Sequence, residues 1–120
     1  MNDVISKIKE LEFEKILWLI FIFISALNIY GDNLEEIFFK ENNLQSELLA
    51  KKIFIFTIAI SLLIYIYFVY RNYNNLKNAK NEDTHLFLIR LAGSILIVVG
   101  ALFILYFEVN KKLPIGTPTV

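Results

Sequence analysis

The sequence predicts an all-α integral membrane protein: three transmembrane helices in a small antiparallel bundle, with an amphipathic N-terminal helix and a short interfacial helix in the first loop. Three observations lead there. Of the 120 residues, 57% are hydrophobic and 15% aromatic, against roughly 45–50% apolar in average soluble chains. The charged residues fall in blocks. Between the blocks lie three uncharged runs, 16–31 (ILWLIFIFISALNIYG), 53–70 (IFIFTIAISLLIYIYFVY) and 91–107 (LAGSILIVVGALFILYF).

A helix needs about 20 apolar residues to cross a bilayer. The second and third runs meet this as they stand. The first is short, but Leu11 and Phe13 extend it and the stem of Lys15 can snorkel outward; a re-entrant or interfacial first segment is the alternative. A transmembrane strand would alternate apolar and polar residues, and these runs are apolar on every face. In lipid, each backbone N–H must also be satisfied within its own segment, which favours helices. The first run has no small-x-small cleavage site after it and two comparable runs follow, so it reads as a retained span. The expected spans are about 13–31, 53–71 and 86–107. They form a single domain over 1–112, with a flexible tail at 113–120 holding two prolines and a glycine.

The flanks complete the picture. Val4, Ile5, Ile8 and Leu11 recur at three or four residues with charges between them, the pattern of an amphipathic helix start. Gly31-Asp32-Asn33 is expected to stop the first span. In the loop 32–52, Leu34, Ile37, Phe38, Leu44 and Leu48 keep roughly helical spacing, which predicts the short surface helix, broken near Asn42-Asn43. The Asn-rich segment 71–85 prolongs the second helix into water before Asp83 or Thr84 caps the third. Seven cations (Lys7, Lys9, Lys15, Arg71, Lys77, Lys80, Arg90) flank the spans on the N-terminal side. Five (Lys40, Lys51, Lys52, Lys111, Lys112) lie opposite, which favours an N-terminus inside the cell. Trp18, Tyr65, Tyr67, Tyr70 and Tyr73 gather on the first side, with Tyr30 and Tyr106 on the second, as expected of interfacial rings.

Candidate functional residues are few. Ser25 and Asn28 near the end of the first span, and Thr57 and Ser61 near the start of the second, should reach similar depth in an antiparallel hairpin. Gly93 and Gly100 sit seven apart on one face of the third. Together they form a candidate intramembrane polar or packing layer. Its simpler role is to hold the helices together; the functional alternative is a polar patch lining a pathway or pocket, resting on Asn28 and Thr57. Spacing by seven suits a close left-handed crossing, within the chain or with a second copy. Arg90 is six residues past Thr84, about 9 Å along a helix, so it is expected to anchor the helix to headgroup phosphates. His85 beside Asp83 reads as a loop residue.

Net charge is zero, which gives no basic footprint for nucleic acid. There is no cysteine and one histidine, so neither thiol chemistry nor a transition-metal site is expected. GxSxG, P-loop, HExxH and CxxC motifs are missing, and no acidic residue stands mid-span, where proton-coupled transporters hold theirs. The expectation is a non-enzymatic protein without cofactor. Its partners would be the lipid bilayer and either itself or another membrane protein, in an accessory, assembly or immunity-type role. An oligomeric small pore, holin-like or transporter protein is the alternative.

Overall fold

A computed structural model describes residues 2–111. It consists of α1 (Asn2–Glu41), α2 (Leu44–Lys77) and α3 (Thr84–Asn110), and the described residues form no strand. All three helices are long and apolar enough to cross a membrane. The expected tail, 113–120, lies outside the described residues.

The helices run further than the spans. The N-terminal amphipathic stretch continues without a break into the first span. At the other end, Gly31 does not stop α1, and no separate interfacial helix forms in the first loop. The helix continues ten residues beyond Gly31 to Glu41. A glycine inside a helix costs about 1 kcal/mol. Continuing buries Leu34 and Phe38 against the rest of the chain, which outweighs that cost at about 1.5–3 kcal/mol per large apolar side chain. The hydrophobic spacing read as a surface helix is therefore the last turns of α1 and the first of α2. The break falls at Asn42-Asn43 as expected. Asn42 adopts φ 54°, a left-handed conformation that asparagine tolerates better than most residues. Asn43 caps α2, its side-chain oxygen accepting from the N–H of Gln45 at 3.0 Å and of Ser46 at 3.3 Å. At α3, Asp83 occupies the cap position, but its side chain makes no capping bond.

Burial follows a repeat of seven. On α1, Leu17, Ile24, Gly31 and Phe38 are buried; on α2, Ala50, Thr57 and Ile64; on α3, Ser94 and Ala101. A seven-residue repeat keeps one stripe of each helix facing its neighbour in a left-handed, nearly antiparallel crossing. Rings fill the space beside the α1–α2 seam: Phe13 meets Tyr67 edge-on at 4.9 Å between centroids, and Phe21 lies 5.8 Å from Tyr65. α2 packs against both neighbours, whereas no Cα of α1 approaches within 8 Å of one on α3. The overall extents of 60 × 26 × 15 Å agree with this. Three helices side by side at 8–10 Å spacing would be about 25 Å wide. The molecule is a bent row of three, with α2 flooring a groove between α1 and α3.

At Gly31 the ring of Phe54 on α2 packs directly against the backbone of α1. A Cβ built there would lie 2.6 Å from Cε1 of Phe54, closer than packed carbon atoms allow. Gly31→Ala should therefore destabilise the hairpin by about 1–3 kcal/mol, seen as a lower thermal midpoint in detergent. Gly93→Ala and Gly100→Ala should instead raise the midpoint slightly, by up to about 1 kcal/mol of helix propensity each, because nothing stands within 4 Å of a Cβ at either.

Candidate functional site

The site is the far end of the groove, opposite the N-terminus, where polar side chains of all three helices converge. Two intrahelical facts put them there. Asn28, Asp32 and Glu35 follow one another at three or four residues on α1, and Thr57 and Ser61 are one turn apart on α2, so each set shares a face. With Phe54, Ile58, Ile104, Glu108 and Lys111 they line a cavity of about 420 Å³. Thr57, buried on the seam, has its hydroxyl 2.8 Å from Oδ1 of Asn28 and 3.1 Å from the carbonyl oxygen of Phe54. Its single proton can donate to either.

Beyond this polar layer, Lys111 reaches every helix. Its ammonium lies 3.6 Å from Glu35 of α1, 3.9 Å from Glu47 of α2 and 3.2 Å from Glu108 of α3. It also stands 5.8 Å from the centre of the Phe54 ring, and Lys51 donates to the Lys111 carbonyl oxygen at 3.0 Å. The Lys111 side chain is 8% exposed and that of Glu47 1%. Three carboxylates thus share one buried ammonium, with Asp32 nearby on the cavity wall. One oxygen of Glu47, Oε2, has no hydrogen-bond partner. Burial foremost, then the Glu35 carboxylate, push the Glu47 carboxyl above the usual range, against the opposing pull of Lys111.

The near end carries a second charged level. Arg71 pairs with Glu10 and, at 3.2 Å, with Glu14, and lies 5.6 Å from the centre of the Phe68 ring. Along α2, Arg71 is 20 residues from Lys51 and 24 from Glu47, about 30–36 Å of helix. That matches the roughly 30 Å hydrocarbon core of a bilayer.

The structure brings together only part of the expected layer. Asn28, Thr57 and Ser61 line one cavity. Ser25 faces outward, because it lies beside the buried Ile24 rather than on its stripe. Gly93 and Gly100 do not make the close crossing; α3 meets the bundle through Ser94 and Ala101, one residue further along, with the same spacing of seven. The Ser94 hydroxyl donates to the carbonyl of Leu91 at 2.7 Å and so presents little polarity to its neighbour. Arg90 is exposed, at the same end of the groove as Arg71, and His85 is exposed as well. The Lys111 hub was missed. Glu35, Glu47, Glu108 and Lys111 lie outside the uncharged runs and look like solvated flanks. The one signal was that Glu108 directly closes the third run, and Glu35 follows the first by four residues, on the same side as Glu47 and Lys111.

Two outcomes follow. Lys111→Met leaves three carboxylates without their shared cation and should destabilise the fold by about 3 kcal/mol or more, read by thermal unfolding in detergent. Because the Glu47 carboxyl is raised in the folded protein, the folded state holds more protons than the unfolded one between the ordinary and the raised value. Stability should therefore fall as pH rises through that window. Glu47→Gln should flatten that part of the pH profile, and an unchanged profile would remove Glu47 as its source. Comparison with family models, curated proteins and solved structures gives no match.

Proposed function

We propose that the chain is a non-enzymatic multi-pass protein of the cell membrane, N-terminus inside, serving as an accessory, assembly or immunity-type partner of another membrane component. The observation that carries this reading is the polar far end of the groove. Asn28, Thr57 and Ser61 lie at the level of the apolar runs, and the cavity they line opens between two helices with no Cα atoms within 8 Å of each other. A partner helix entering there would find hydrogen-bonding groups and an excess of carboxylate over ammonium. The rest of the surface supports a lipid solvent: Leu19, Ile22, Phe23, Leu63, Leu96 and Phe103 are each more than 60% exposed, far beyond the apolar patches of soluble monomers.

The same open layer favours a second reading, a small oligomeric pore. One row of three helices encloses no path, so that reading requires several copies. A photo-crosslinking side chain at Ile104, on the cavity wall, separates the two. The partner reading expects a discrete adduct with a different membrane protein and a monomer in mild detergent. The pore reading expects self-adducts and a defined oligomer. If such an oligomer forms and survives Gly100→Leu intact, the exposed glycine face is not its seam. Orientation is checked by cysteine labelling of intact cells, where Asn43→Cys should react from outside and Asn78→Cys should not; the reverse pattern would overturn the assignment.

A further inference from the structure

The near half of the groove has a different character. Trp18 and Phe21 of α1, Asn72 of α2, and Arg90, Gly93 and Ile97 of α3 line a cavity of about 590 Å³, together with Glu14. This is within the size range of small-molecule sites, about 300–1,000 Å³. Its polarity is graded along the helices. Asn72 and Arg90 stand at the level of the Arg71 pairs, while Phe21, Tyr65 and Ile97 lie one to two turns deeper. Asn72 is 6% exposed, and its Oδ1 is buried without a hydrogen-bond partner, an arrangement that costs about 1–3 kcal/mol unless a ligand or water donates to it. Arg90 has no carboxylate within ion-pair distance among the described residues, whereas Glu14 is held by Arg71, which it shares with Glu10. Gly93 keeps the wall low, with nothing within 4 Å of where its Cβ would be.

We infer that this half-groove is a binding site for one anionic glycerophospholipid whose headgroup carries hydroxyl donors, of the phosphatidylglycerol type. The phosphate sits on Arg90, a headgroup hydroxyl donates to Oδ1 of Asn72, and an acyl chain lies along Trp18, Phe21 and Ile97. The axial order of charge, donor demand and apolar wall is that of a lipid standing in its own leaflet. A soluble ligand would not need the apolar continuation, and a partner helix would not need an anion at this level. The inference rests on the membrane placement proposed above.

Trp18 is the one tryptophan of the chain and lines the site; at 54% exposure it also meets surrounding lipid, so the difference between two lipids, rather than quenching itself, reports occupancy. The full-length protein in mild detergent is titrated with brominated phosphatidylglycerol or brominated phosphatidylcholine, and quenching of Trp18 is followed. Phosphatidylglycerol should reach half-quenching at a several-fold lower mole fraction. Arg90→Gln should reduce that preference about fivefold, the effect of one cation near an anionic headgroup, while Lys77→Gln, exposed at the same end, leaves it in place. Gly93→Leu, whose Cβ meets nothing within 4 Å, extends its side chain into the groove and should abolish the preference, with an undiminished thermal midpoint in detergent showing that the fold is retained. Glycerol phosphate without acyl chains should not compete. Equal quenching by both lipids, competition by glycerol phosphate, or a Gly93→Leu protein that keeps the preference would each overturn the site alone. No quenching by either lipid would overturn the membrane placement with it.

Discussion

The arrangement depends on a single buried ammonium. No Cα of α1 comes within 8 Å of one on α3, so their backbones are related mainly through α2 until the chain reaches Lys111. There one side chain, just past the end of α3, meets carboxylates from all three helices. Surface ion pairs contribute little, but this one is largely removed from water, and its geometry fixes where α1 stands relative to α3. The surplus of carboxylate has a physical consequence. The deepest of the three, Glu47, is the one whose proton affinity rises, through burial first and the neighbouring carboxylates second. The hub is thus held by attraction and loosened by repulsion at the same place.

The two charged levels also set the helix register. With Arg71 pinned to Glu10 and Glu14 at one end and Lys111 to Glu35 and Glu108 at the other, α1 cannot slide along α2 by a turn without breaking both. Between the levels the seam is made of small or apolar residues at intervals of seven. Its one interhelical side-chain hydrogen bond among the described residues, Thr57 to Asn28, adds about 0.6 kcal/mol, the value typical of such bonds in membranes, and about 1.7 at most. Apolar packing therefore gives closeness, while the charges give position.

The helices were legible in the sequence because lipid-facing segments must be uncharged, long and internally hydrogen-bonded. Their ends were less so. Gly31 carries the local signature of a stop, but its role is to let Phe54 approach, and only a neighbour distant in sequence distinguishes the two. The rule of seven was legible at Gly93 and Gly100, yet its register was not. Ser94 and Ala101 obey it equally well, and the choice between adjacent stripes depends on which one meets α2. Asn28 and Thr57 were found because each is polar within an apolar run. Glu47 and Lys111 were invisible for the opposite reason, since a charge in a charged flank looks solvated until another helix covers it.

Why the row does not close into a triangle follows from the stripes themselves. α2 offers buried positions on two flanks, Ala50, Thr57 and Ile64 in one repeat, Ser61 and Asn72 beside it, and so has two seams. α1 and α3 each have one stripe of buried residues, both directed at α2. Bringing α1 against α3 would force Trp18 and Phe21 toward Arg90 and Ile97 across the cavity they now share, burying the Arg90 charge with no carboxylate to meet it except one already held by Arg71. At the far end, closure would press Asp32 and Glu35 against Glu108, adding repulsion to a cluster that already has more carboxylates than cations. Repulsion among the far-end carboxylates therefore adds to the direction of the stripes in keeping the groove open, while Lys111 holds α1 and α3 at a fixed distance there.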